Sequence, residues 1–283
     1  MAKTIDDKKM IQLALQEDIG SGDITSRALR LKGKKGIAIV VAKQAGVISG
    51  IDTFMRVYRT LSPAVSFHIY KRNGATVVPG NLIIKISGPL DIIQTGERTA
   101  MNFLSHLSGV ATATREIVKA VADYPVKILD TRKTHPGLRL LQKRAVFDGG
   151  GTNHRFGLYD MYLIKENHIE AAGSLETALE LAKMDKKKTK AKIEVEVKNF
   201  DELKRALKYK PDYILLDNFT IPMLKQAVRI AEEIDPRAIL EASGNVSLKT
   251  VRKIAATGVH RISIGKITHS APVLDLSLKV VDK

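Results

Sequence analysis

The stretch DTRKTHPGLR, residues 130 to 139, sets Arg132, Lys133 and Arg139 around a Pro-Gly turn, directly after the apolar run VKIL. A solvated loop is the plain reading. The other is a surface built for an anion, because a guanidinium fork binds a carboxylate through two parallel charge-assisted hydrogen bonds. Five more apolar runs end in reactive side chains: Lys165; Glu194 and Glu196; Asp217 with Asn218; Glu241 with Ser243 and Gly244; Gly265 with Thr268 and His269. One charged run end decides nothing. Six in succession, mixing cations with carboxylates, argue for a shared site.

The elements that carry these residues alternate in type. KILDT, MYLIK, KIEVEV, YILLDN, AILEASG and RISIG are rich in β-branched and aliphatic residues. Amphipathic runs lie between the later ones, such as SLETALELAKM with Leu175, Ala178, Leu179 and Ala182 on one face. Strands alternating with helices imply βα units and a parallel sheet. In such folds the C-terminal strand ends share one face, where active sites sit. Glu194 and Glu196 project to the same side of their strand.

The first part of the chain has another rhythm. GIAIVVAKQAGVISG and VSFHIYKRNGATVVPGNLIIKISG read as antiparallel strands, with Asn73-Gly74 as a hairpin signal. LDIIQTGERTAMNFLSHLSGVATATREIVKAVADY reads as helix with a break near Ser108-Gly109. The tail PVLDLSLKVV alternates as a strand does. The expected fold is α/β: an N-terminal α+β sandwich domain over residues 1–110, joined by the tail 271–283, and an open (β/α) barrel catalytic domain over 111–270.

Composition narrows the function. The chain has 283 residues, 44% hydrophobic, with no cysteine, which removes disulfides, thiolate metal sites and a cysteine nucleophile. No apolar run reaches the ~18 residues of a membrane span, and the start shows no signal-peptide pattern, so a cytoplasmic protein without a membrane partner is expected. The net charge of +16 suits nucleic acid or a small anionic substrate. Aromatic residues are 5% and tryptophan is absent, so stacking platforms are scarce and no nucleic-acid partner is expected. The lysine run 183–192 reads as a solvated helix end.

The segment DTRKTHPGLRLLQKRAVFDGGGTNHRFGLYDMYLIKENHI, together with GDIT, GERTAMNFLSHLSGVAT, EVEV, LLDN, EASG and GVHRISIGKITHS in that order, resembles the quinolinate phosphoribosyltransferases. The likeness covers nearly the whole chain. The sequence departs from the family pattern at His135 (usually threonine), His260 (often aspartate), Asn245 (usually glycine) and Lys266 (typically small).

The resemblance implies transfer of phosphoribosyl from phosphoribosyl pyrophosphate to quinolinate with loss of carbon dioxide, in NAD biosynthesis. It implies that Arg132, His154 and Arg155 hold the dicarboxylate, with Arg98 reaching in from the partner of a homodimer. It places Lys133 and Lys165 to meet both substrates, and Glu196 and Asp217 near the ribose. Backbone at Ser243, Gly244 and Asn245, and at Gly265, with His269, would cradle the 5-phosphate. Mg2+ would arrive with the pyrophosphate, and no all-protein metal cage is expected. The alternatives are a molybdenum-transport-associated paralogue of the same fold, a nicotinate phosphoribosyltransferase, and a nucleic-acid-binding module.

Overall fold

The computed structural model describes residues 7–281; the outermost residues of the expected first domain and tail, 1–6 and 282–283, lie outside them. The described strands are β1 (Lys35–Ala42), β2 (Gly46–Val47), β3 (Ser66–Ile69), β4 (Thr76–Val77), β5 (Leu82–Pro89), β6 (Lys127–Leu129), β7 (Met161–Ile164), β8 (Lys192–Val197), β9 (Tyr213–Asp217), β10 (Leu240–Ser243), β11 (Arg261–Ser263) and β12 (Leu276–Val281). The chain forms two compact units. One is Met1–Arg115, Thr134–Gly150 and Ile267–Lys283; the other is Glu116–Lys133 and Gly151–Lys266. The expected division put residues 134–150 in the second domain, whereas contacts group them with the first.

In the first unit, an antiparallel sheet runs β12-β1-β5-β3. β1 buries Ala38, Val40 and Ala42 by simple alternation. The tail strand β12 pairs antiparallel with β1, Ile37 opposite Val281. Asn73-Gly74 does not close a hairpin between neighbours in this sheet. Gly74, at φ 81, turns the chain into β4, which pairs with β2, while the Asn73 carboxamide oxygen accepts the Ile51 N–H. The expected helix break at Ser108-Gly109 is absent. One helix runs Leu90–Ala120, 31 residues. Gly109 serves packing instead, since a Cβ there would stand 1.9 Å from the Pro272 carbonyl oxygen.

The second unit holds six parallel strands in the order β6-β11-β10-β9-β8-β7. A parallel bridge from Leu129 to Thr152 extends it beyond β6. Helices Leu175–Thr189, Phe200–Lys208 and Ile221–Ile234 begin at Ser174, Asn199 and Thr220, whose side chains accept the N–H three residues on. Each such cap contributes about 1 kcal/mol. One face of β8 buries Ile193, Val195 and Val197; each fully buried aliphatic side chain contributes roughly 1.5–3 kcal/mol. The lysine run ends the helix Leu175–Thr189, its cations beside the carbonyl end of the helix dipole.

Register then decides which side chains meet. Glu196, Leu215, Glu241, Arg261 and Lys127 stand level across β8, β9, β10, β11 and β6. Two residues further on, Asp217, Ser243, Ser263 and Leu129 are level. Because side chains alternate with period two, all of these share one face of the sheet. The other face of the strands is apolar.

Candidate active site

The rim of this face begins after β6. Asp130 is fully buried, and its carboxylate organises the loop that precedes β7: Oδ1 accepts the His154 N–H at 2.8 Å and Oδ2 accepts the Asn153 amide at 2.6 Å. Arg132 follows on the same loop, half-buried, and Lys133 is exposed, its N–H on the Thr131 hydroxyl at 3.0 Å. Arg155 donates from Nη1 to the Met161 carbonyl at 3.1 Å. Its Nε is buried and meets no acceptor among the described residues. Burial, and then repulsion from Arg132, lower the Arg155 pKa. Two guanidiniums held close enough to repel, one with an unspent N–H, make a site that an anion would complete.

Opposite lie the strand ends of β7, β8, β9 and β10. Lys165 forms an ion pair with Glu196. Its backbone is pinned by His168, whose Nδ1 accepts the Lys165 N–H at 3.0 Å. Asp217 is half-buried and forms no ion pair among the described residues; its carboxylate accepts the Asn218 amide at 3.0 Å. Ser243 ends β10. Gly244 adopts φ 100, and a Cβ there would fall 2.1 Å from the Asn218 side-chain oxygen, so only glycine fits. Asn245, where the family usually has glycine, sits at φ 49, a left-handed conformation that asparagine tolerates better than most residues. Gly265 follows β11, and Lys266 is exposed beside it.

Beneath the rim is a buried charge cluster that the sequence did not announce. His154 Nε2 lies 2.9 Å from Glu194 Oε2 and 3.4 Å from Glu241 Oε1. Both carboxylates have no solvent exposure. Glu241 is also held by Arg261 Nε at 2.7 Å, and that guanidinium stacks 3.8 Å from the Tyr213 ring centre. Burial alone would lower the His154 pKa, but the two carboxylates outweigh it and raise it to about 9. Burial and the Glu241 charge raise Glu194; in Glu241, His154 and Arg261 overcome burial and lower it. The ligand atoms of the three lie within 4.8 Å of one another, a spacing a metal could use. With Arg261 already on Glu241 and a proton between His154 and Glu194, we read them as an ion-pair cluster rather than a ligand set.

The remaining expected residues lie in the first unit. Arg98 is exposed on the helix Leu90–Ala120, and His269 is exposed at the end of Lys266–His269. His135 faces Gln142, whose Nε2 lies 2.8 Å from His135 Nδ1, 3.0 Å from His106 Nε2 and 2.9 Å from the Thr268 carbonyl. Burial and His135 lower the His106 pKa, which suits a neutral acceptor packed in place. Asp23 caps the helix Ile24–Ala28. Gly149 ends the helix Arg139–Asp148, its carbonyl held by Arg115 Nε at 2.8 Å. A cleft of about 360 Å³ in this unit is lined by Glu17, Asp18, Thr99, Asn102 and His106. Its two carboxylates disfavour an anionic occupant.

Profiles of the quinolinate phosphoribosyl transferase N-terminal and C-terminal domains match residues 23–108 and 110–279. The chain belongs to the quinolinate phosphoribosyltransferase family. It is 41% identical over 271 residues to a probable nicotinate-nucleotide pyrophosphorylase [carboxylating] of Synechocystis, covering 96% of this chain and 91% of that one. It is 39% identical over 275 residues to the Bacillus subtilis counterpart, covering 96% and 93%. The structure of the nicotinate-nucleotide pyrophosphorylase from Francisella tularensis superposes with a TM-score of 0.89 at 39% identity, over 99% of this chain and 98% of that one. Membership agrees with the six-stranded parallel sheet and with the expected α/β class. Of the supporting residues, sequence reasoning missed Arg261 and the pairing of His154 with Glu241. The available signal was a carboxylate set in the middle of each of two otherwise apolar strands.

Proposed function

We infer that this chain catalyses the family reaction: it transfers phosphoribosyl from phosphoribosyl pyrophosphate to quinolinate and releases pyrophosphate and carbon dioxide, giving nicotinate mononucleotide for NAD biosynthesis. The observation that carries the site assignment is Arg155, half-buried within range of the Arg132 charge, whose buried Nε–H meets no acceptor among the described residues. Quinolinate's adjacent carboxylates are suited to these forks, with His154 at their base. Arg98 would come from the partner subunit of a homodimer, which its exposure on the first unit's helix permits. Lys133, exposed on the same loop as Arg132, would meet the pyrophosphate or the second carboxylate.

The chemistry needs little more than electrostatics. Pyrophosphate leaves the anomeric carbon with its bonding electrons, and the pyridine nitrogen forms the new bond there. Positive charge builds on the ribose, and Asp217 and Glu196 oppose it while accepting from the ribose hydroxyls. Lys165, paired with Glu196, fixes that carboxylate's place and adds a cation towards the substrate anions. Once the nitrogen is quaternary, carbon dioxide leaves C2, whose electron pair the adjacent cation stabilises until a proton replaces it. Ser243, Gly244, Asn245 and Gly265, with His269, are the phosphate-cradle candidates; at Gly244 a positive φ turns the backbone, with Asn218 packed where a Cβ would stand. Magnesium fits this donor set through Asp217, a carboxylate carrying no ion pair, since the ion takes few protein ligands and keeps its waters. When bound it would neutralise the pyrophosphate charge.

No helix among the described residues is long and apolar enough to cross a membrane, and a cytoplasmic location is part of this proposal. The test is production of nicotinate mononucleotide from quinolinate and phosphoribosyl pyrophosphate with magnesium, with nicotinate as the comparison substrate. Turnover of quinolinate alone is expected. Turnover of nicotinate alone would overturn the reading.

A further inference from the structure

A carboxylate in the interior of a parallel strand is expensive unless it is paired. Here there are two, Glu194 on β8 and Glu241 on β10, each wholly buried and on the same sheet face. Arg261 on β11 offsets one negative charge. The other is left to His154, which is gripped at three points. Its backbone N–H goes to Asp130 Oδ1 at 2.8 Å, its Nδ1 lies 2.8 Å from the Arg155 backbone nitrogen, and its Nε2 faces Glu194 and Glu241. On the site side stand Arg155 and, beyond it, Arg132.

We propose that Glu194 and Glu241 are positioning residues for substrate binding: by drawing the Nε2–H of His154 electrostatically from two sides they fix the backbone that presents Arg155. The role in binding rests on the reading of the site under Proposed function; the clamp itself does not. The arrangement requires that Nε2 always carry its proton, because a bare Nε2 would aim a lone pair at two carboxylates. It also explains why the segment 153–155, outside any strand, is tied to two strands and to the end of a third. Asp130 holds it from β6, Glu194 from β8 and Glu241 from β10. A guanidinium misplaced by an ångström loses the second of its paired hydrogen bonds to a carboxylate.

The experiment is nitrogen NMR of histidine-labelled, substrate-free protein, with the His154 signals assigned by their loss in His154→Asn. Nε2 is expected to stay fully protonated from about pH 6 to about pH 8.5, whereas a free imidazole, having lost one proton near ~6.5, shares the remaining one between its two nitrogens. In the double variant Glu194→Gln, Glu241→Gln the ring is expected to titrate near the ordinary value. Kinetics supply the second readout. Glu194→Gln is expected to raise KM for quinolinate about tenfold, through loss of one of the two charges that hold the ring, with kcat and KM for phosphoribosyl pyrophosphate within about threefold. A bare Nε2 at pH 7 in the wild type overturns the clamp. A lower melting temperature with unchanged KM overturns the positioning role. A protein that shows the clamp by NMR but never turns over quinolinate sinks the functional reading and leaves the clamp standing.

Discussion

At the scale of single residues, two side chains carry the clearest consequences. Arg155→Lys keeps the charge but removes the fork. It is expected to weaken quinolinate binding by about 1.5–3 kcal/mol, roughly ten- to a hundredfold in KM, with little change in melting temperature; calorimetric titration and steady-state kinetics check this. His154 predicts a pH dependence. Its folded pKa of about 9 lies above the ~6.5 of an unfolded histidine, so its contribution is complete below about pH 6.5 and is lost as pH rises through about 9. The unfolding free energy should fall across that window with up to ~1.4 kcal/mol per pH unit from this group. Denaturant unfolding of wild type and His154→Asn, compared at both ends of the window, should show the slope in the wild type alone. Equal slopes would remove the assignment.

At the scale of elements, legibility followed the physics of each kind of signal. KIEVEV and YILLDN were readable as strands because β-branched residues and period-two alternation are local properties. Their register, which brings Glu196 level with Glu241, is also implicit in alternation once the strands are parallel. The misreadings came where a residue answers to a distant partner. Gly109 looks like a helix break, yet its missing Cβ makes room for the Pro272 carbonyl, 163 positions away in sequence. Gly109→Ala should therefore destabilise by about 1–3 kcal/mol as an overpacking change, although alanine is the better helix former. Thermal denaturation of the variant decides; a neutral or stabilising result would mean that the helix, not its packing, sets the requirement. Asn73-Gly74 was misread for a related reason: β3 and β5 pair across the turn while the turn's own neighbour pairs elsewhere. The His154 cluster was illegible because its members come from separate stretches around positions 154, 194, 241 and 261, and no local pattern ties them together.

At the scale of the whole molecule, the proposed homodimer makes a prediction that single chains cannot. Arg98→Ala and Lys133→Ala should each be inactive alone, with unfolding curves close to wild type, because both side chains are exposed. Mixed and allowed to exchange subunits, they should regain activity, since a hybrid dimer can assemble one site with both side chains intact. Continued inactivity after exchange, with mixing verified by mass spectrometry, would argue that each site is built from one chain.

The placement of β12 bears on how the chain is made. The first unit's sheet needs Leu276–Val281 beside β1, so its outer strand leaves the ribosome long after β1 does. Until then β1, synthesised more than two hundred residues earlier, presents an open edge of unpaired backbone groups. The parallel sheet of the second unit, by contrast, is encoded entirely before that point. Covering that edge therefore waits on Leu276–Val281, and a product cut short before this strand would be prone to self-association rather than a merely shortened enzyme.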